Sequence, residues 1–296
     1  MKKLGFLLLS ILASFTLHAQ EDDLMSMLDE VVEDEPLEVA YTFKSTHVIN
    51  AHSIERMKSK QLDFRINHRF GEVGLGAYEL WGIDQALVSF DFGYGVTDWL
   101  MVGIRRSTYK KIYDGSLKFS ILRQTEGSKN IPVAVSYYNN MAINTLKNDI
   151  TDYPTTHRLS YTHQILVARK FNQVLSLQLM PTFVHRNEVN FNEDNDIYAL
   201  GIGGRVKFHR RIAFMFEYFY TSHNNFIAKE NDLFRNPLSI GFDIETGGHV
   251  FQLFASNSRI MEESGFISQT TGTWKSGNYF LGFNISRVFA IGKAKK

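Results

Sequence analysis

Ile212-Ala213-Phe214-Met215-Phe216-Glu217-Tyr218-Phe219-Tyr220 carries Ile, Phe, Phe, Tyr and Tyr at every second position, with Glu217 on the opposite parity. A period of two is the signature of a strand with one apolar and one polar face. The same alternation recurs along the chain. Leu62, Phe64 and Ile66 alternate with Asp63, Arg65 and Asn67, and Leu100, Val102 and Ile104 with Met101, Gly103 and Arg105. Leu175, Leu177, Leu179 and Phe183 alternate with Ser176, Gln178, Met180 and Thr182. Leu238, Ile240, Phe242 and Ile244 oppose Ser239, Gly241, Asp243 and Glu245, and Tyr279, Leu281, Phe283 and Ile285 oppose Phe280, Gly282, Asn284 and Ser286.

The pattern predicts twelve strands at 61–70, 85–95, 98–107, 113–123, 131–141, 157–170, 173–186, 194–208, 211–222, 237–245, 249–258 and 277–291. Most exceed the ~5–6 residues of a soluble strand and suit the ~9–11 of a tilted membrane strand. Long and short connections alternate, as in outer-membrane barrels, although the third and fourth depart from the trend. The short turns carry Val96-Thr97, Phe171-Asn172, His209-Arg210 and Thr246-Gly247-Gly248. The expected fold is all-β: a closed antiparallel transmembrane β-barrel of about twelve strands. A soluble periplasmic sandwich or lipocalin-like barrel is the alternative.

Around this barrel, residues 61–291, lie three other expected segments. Residues 1–19 read as a signal peptide: Lys2 and Lys3, an apolar run from Leu4 to Leu17, and a cleavage region at Leu17-His18-Ala19. Residues 20–60 form a periplasmic or plug segment. Its stretch Glu21–Glu35 is acidic and spaces Leu24, Leu28, Val31 and Val32 for a short helix ending before Pro36. Residues 292–296 are a basic tail. Tyr41 to Ser53 could be a thirteenth strand. Parity places it in the lumen or below the wall instead, because single-chain bacterial barrels have even strand numbers. With both termini then periplasmic, the expected location is the outer membrane. The expected partners are its lipid, its insertion machinery and, on one reading, another envelope protein.

The 296 residues carry a net charge of +1 and no cysteine. The charge balance leaves no footprint for nucleic acid, and the missing thiols exclude disulfides, thiolate metal sites and a cysteine nucleophile. The aromatic residues, 24 Phe, 13 Tyr and 3 Trp, can supply interfacial girdles, with Trp99, Tyr218, Tyr220, Tyr279 and Phe289 near strand ends.

Lumen-lining candidates follow from parity, since an Arg or Lys facing lipid at the midplane would cost roughly 2–4 kcal/mol. They are Arg65, Arg69, Arg105, Lys118, Arg158, Lys170, Arg205 and Lys207, with Asp63, Asp91, Glu217, Asp243 and Glu245. The excess of bases suggests a mild preference for anionic solutes; the alternative is a paired network that rigidifies or closes the barrel. No cofactor is expected, and no catalytic constellation emerges. Ser160 has the opposite parity to His157 and His163, so no dyad forms within that strand. His47 and His52 have no neighbouring ligand cluster. Gly201, Gly203 and Gly204 imitate a dinucleotide motif without its helix and suggest curvature or lumenal room. Asn192–Asp196 offers calcium-type oxygens that a polar loop explains equally well.

Thr42-Phe43-Lys44-Ser45-Thr46-His47-Val48-Ile49-Asn50-Ala51-His52-Ser53, then Leu62-Asp63-Phe64-Arg65-Ile66-Asn67-His68-Arg69-Phe70-Gly71, Gly82-Ile83-Asp84-Gln85 and Tyr94-Gly95-Val96-Thr97-Asp98, carry a family resemblance. From about Tyr41 to the C-terminus the chain resembles an uncharacterised family of membrane-bound β-barrel proteins of Bacteroidetes-type bacteria, a domain of unknown function. The resemblance implies an outer-membrane barrel and assigns no substrate or site residue. Three functions stay open: a passive channel limited by interior charges and the N-terminal segment, a structural barrel docking an envelope partner, and a membrane-embedded hydrolase.

Overall fold

A computed structural model describes residues 36–147, 152–191, 193–222 and 233–292. The expected signal peptide and acidic helix lie outside the described residues, as do Asn192 and the basic tail beyond Gly292. The twelve expected strands all form: β1 Gln61–Glu72, β2 Ala86–Gly95, β3 Leu100–Ser107, β4 Tyr113–Leu122, β5 Ala134–Ile143, β6 Leu159–Lys170, β7 Leu175–Arg186, β8 Asp196–His209, β9 Ile212–Thr221, β10 Leu238–Thr246, β11 His249–Ser256 and β12 Phe280–Ala290. Each pairs antiparallel with its neighbours, and β12 pairs with β1 to close the barrel. Closure leaves no backbone donor or acceptor on an open edge, the condition for a sheet in hydrocarbon. No helix among the described residues is long and apolar enough to cross a membrane.

The faces follow the sequence parity. In β1, Asp63, Arg65, Asn67 and Arg69 are buried while Leu62, Phe64, Ile66 and His68 are half-buried on the outer face. In β9, Ala213, Met215, Glu217 and Phe219 are buried and Tyr220 faces out. Ile104, Leu179, Leu200 and Leu253 stand exposed on the outer wall. An outer surface dominated by such apolar side chains is stable against lipid, which matches a spanning wall.

The lumen is filled by two segments that meet inside it. From the end carrying the short turns, Thr42–Met57 enters as a hairpin, with His47 opposite His52 and the turn Val48–Ala51 closed by a 2.8 Å bond from Val48 N to Ala51 O. The segment that resembles a thirteenth strand therefore pairs with itself. Lys170 Nζ donates to Ala40 O at 2.9 Å where the chain enters, and Lys60 N bonds Gly95 O where it joins β1. A Cβ on Gly95 would lie 2.0 Å from Lys58 O, so the chain passes the wall only because that position is glycine. From the opposite end, the connection between β11 and β12 folds inward. Its residues Glu262–Ser268 are buried and include the short helix α1, Glu263–Ser268.

The hairpin and the loop carry apolar side chains into the lumen. Phe43, Val48 and Ile49 pack with Phe266 and Ile267 and with inward-facing Leu166, Met180, Met215, Phe219 and Phe254. These inward apolar residues sit on the parity that otherwise reads as polar. Gly203 makes room here, since a Cβ on it would meet the Val48 methyls at 3.2 Å. Separately, Pro36–Val39 and Gln124–Pro132 form a small unit of their own, in which Leu37–Glu38 pairs with Thr125–Glu126.

Candidate functional site

Strand pairing lines up a row of alternating charges across one side of the lumen. Arg65 lies opposite Asp91, Asp91 opposite Arg105, and Arg105 opposite Asp114, on four successive strands. Facing residues on adjacent strands interact directly, so this register places unlike charges together. Arg105 bonds Asp114 at 2.7 Å, Met261 O at 2.9 Å and the Glu263 carboxylate. Asn67 reaches Asp91 at 2.8 Å and Asn140 reaches Asp114 at 2.9 Å.

The hairpin tip hangs on one carboxylate. Glu217 accepts from the backbone N–H of Ile49, Asn50 and Ala51 at 3.0–3.1 Å and from Asn50 Nδ2 at 2.5 Å. Three successive amides turned toward an anion form a nest, and bonds to a charged acceptor are about twice as strong as neutral ones. Arg65 donates to Ile49 O at 2.8 Å, and Arg69 to Asn50 Oδ1 at 2.6 Å. Lys118 Nζ binds three hairpin carbonyls, Thr46, Ser53 and Glu55, at 2.8–3.2 Å. Gln178 and Gln252 bond His52 O and Val48 O. The arms and tip are thus held mainly by polar contacts.

The other expected residues fall in different places. Arg205 bonds Glu245 at 2.5 Å and stands 3.9 Å from Asp243, and Glu245 also meets Lys44 of the hairpin at 3.3 Å. Lys207 is half-buried toward the short-turn end of β8. Arg158 is not on a strand: it closes the turn Thr155–Arg158 and donates to Asn144 O and Leu146 O at the long-loop mouth. Asp114 shares parity with the identified Lys118, so its inward position was readable from that spacing. Glu262 and Glu263 reach the lumen on a loop, and no periodicity marks them. Burial pushes the Glu262 carboxyl up to about 8 and also raises Glu55 and Glu263.

Space remains chiefly at the long-loop mouth. A cavity of about 550 Å³ is lined there by Lys110, Lys147, Arg158, Arg186, Glu188 and Glu193, among others. Deep in the lumen, beside His47, His52 and Asp63, the cavity is about 20 Å³. Ser160 faces inward and shares a 2.8 Å hydroxyl contact with Ser264, whereas the His163 ring lies on the outer face, 2.6 Å from Tyr137 Oη. The two cannot act on one substrate bond.

A closed antiparallel wall of twelve strands, apolar toward the membrane and charged within, defines a membrane-spanning β-barrel. The chain belongs to the family described as membrane bound beta barrel domain (DUF5777), whose model matches residues 43–289. Among solved structures it is similar to the NanC porin (8% identity, TM-score 0.48, covering 78% of this chain and 100% of that one). It is also similar to the KdgM porin (8% identity, TM-score 0.46, 77% and 99% covered). A third is an outer membrane channel from Pseudomonas putida F1 (10% identity, TM-score 0.44, 79% and 97% covered). None of the curated protein sequences matches the chain.

Proposed function

We propose that the protein is an outer-membrane passage for small polar solutes that its own N-terminal hairpin holds shut. One observation carries this reading: the hairpin that fills the lumen is hung on a charged, hydrogen-bonding wall, with Glu217, Arg65 and Lys118 as its main holds. A permanently sealed barrel gains little from such a wall, because buried ion pairs can be replaced by packed apolar residues at no loss or with a gain of about 1–4 kcal/mol. A lumen filled in turn by hairpin and by water needs polar side chains that water can satisfy when the hairpin leaves.

Below the mouth the buried wall charges balance: Arg65, Arg69, Arg105, Lys118 and Arg205 against Asp63, Asp91, Asp114, Glu217 and Asp243. They set no preference for either sign. A bias toward anions falls, on this reading, to the mouth, where Lys110, Lys147, Arg158 and Arg186 face Glu188 and Glu193. Rings of charge at a pore entrance select by sign in this way.

Planar-bilayer conductance tests the proposal. The mature protein is expected to be closed or to flicker, and Glu217→Ala to open more often because the hairpin tip loses its anchor. A chain lacking residues 21–57 is expected to conduct steadily. Absence of conductance from that deletion, while it still migrates as a heat-modifiable folded barrel, would overturn the reading.

A further inference from the structure

We infer that His47, His52 and Glu263 form a binding site for one divalent transition cation of the zinc type, at the point where the hairpin meets the inward-folded loop. The two histidines face each other across the hairpin with ring centroids 4.0 Å apart. Glu263 arrives from α1, far away in sequence, with Oε1 3.7 Å from His52 Nε2. One ligand atom from each of the three lies within 4.8 Å of the others. All three residues are buried. The sequence offers the histidines without a third ligand; the fold supplies it.

The hydrogen bonding around the cluster points to a cation. His47 Nε2 and Glu263 Oε1 have no hydrogen-bond partner, though both are buried, and His52 turns Nε2 toward that free carboxylate oxygen. Two orphaned acceptors beside a third residue's ring nitrogen are costly unless something joins them. Thr46 Oγ1 donates its single proton to Asp63 Oδ2 at 2.6 Å, so toward His47 Nδ1, 3.1 Å away, it can only accept. This puts the imidazole proton on Nδ1 and leaves the Nε2 lone pair for the ion, the outer-shell arrangement that prepares a histidine ligand. Arg105 holds the other oxygen of Glu263, Oε2, and thereby leaves Oε1 open.

Two imidazoles and a carboxylate select a borderline divalent metal over calcium or magnesium, which take oxygen ligands. The cavity of about 20 Å³ lined by His47 and His52 admits one water, enough for a fourth ligand. Around the cluster Asp63, Asp91 and Asp114 offset Arg65, Arg105 and Lys118, and the Glu263 ligand itself adds the negative charge that faces the dication. Bound there, the ion ties the hairpin from one end of the barrel to the loop from the other. The site stands whether or not the barrel conducts.

The mature protein, refolded into detergent with Co²⁺ as probe, is the test. One Co²⁺ per chain is expected, with the visible ligand-field absorption of a four-coordinate site. His47→Gln, His52→Gln and Glu263→Gln should each abolish that band, while His163→Gln on the outer face leaves it intact. Thr46→Val keeps every ligand and should weaken binding about 10–100-fold. X-ray absorption of the wild-type protein reads imidazole scattering directly, which covers any variant that fails to fold. The site is refuted by a folded wild type that takes up no Co²⁺, by uptake unchanged in the three ligand variants, or by a bound ion without imidazole scattering.

Discussion

Arg105 shows how much a single lumenal side chain carries. It links the wall, through Asp114, to the inward-folded loop, through Glu263 and Met261 O. Removing one member of a buried ionic group leaves the others uncompensated and costs about 3–5 kcal/mol, whereas replacing the whole group with apolar residues is often neutral. Arg105→Met is therefore expected to lower the urea midpoint for folding into vesicles strongly, and the triple change Arg105→Met, Asp114→Leu, Glu263→Met to recover most of the loss. A triple variant no better than the single would show that shape, not charge, sets this contact. At this scale the sequence was partly legible. Parity put Arg65, Arg69, Asp91, Arg105, Lys118, Arg205, Glu217 and Asp243 on the inner face because lipid forbids their facing out. It could not reveal that Glu217 holds backbone amides of residues 49–51, since a nest depends on a turn and not on a period.

The strands were legible because hydrocarbon imposes their pattern on every second residue, as along Leu175, Leu177 and Leu179. Their ends shift by one to three residues where the ladder stops. The inward loop was not legible. α1 spans six residues, all buried, so it has no polar face to create a helical stripe. The hairpin Thr42–Ser53 looks like a wall strand because it too pairs as a strand, though with itself. The wall pattern makes a depth-dependent forecast. Leu179 lies near the middle of β7 and is exposed on the outer face, while Leu175 begins that strand. Leu179→Arg should destabilise folding into vesicles by roughly 2–4 kcal/mol and Leu175→Arg by about 0–1 kcal/mol. Equal costs in urea titrations would mean that β7 does not run through the bilayer as its length suggests.

Across the whole molecule, two fillings enter from opposite ends and share one interior, so ionisation of one can loosen both. Glu262 stands just before α1, buried, with Oε2 lacking a partner. Its folded carboxyl titrates near 8, against an ordinary value near 4.5, because burial disfavours the charge. The folded state therefore binds this proton more tightly than the unfolded state does. Between about pH 4.5 and 8 the unfolded chain has released it and the folded chain has not, so this residue's contribution to stability falls as pH rises, by about 1.4 kcal/mol per unit at most. Below 4.5 both states are protonated and above 8 both are ionised, and the contribution is flat. Glu262→Gln cannot ionise. The stability difference between this variant and the wild type should grow in the variant's favour from pH 4.5 to 8 and then level off, in urea midpoints measured at each pH. The conducting fraction of wild-type channels should instead rise as pH passes through about 8, where the folded carboxyl itself ionises, while that of the variant lacks this component, because a carboxylate formed under the loop draws water in beside the hairpin it helps to cover. A difference between the two proteins that stays constant with pH would place the Glu262 carboxyl in water and uncouple the loop from closure.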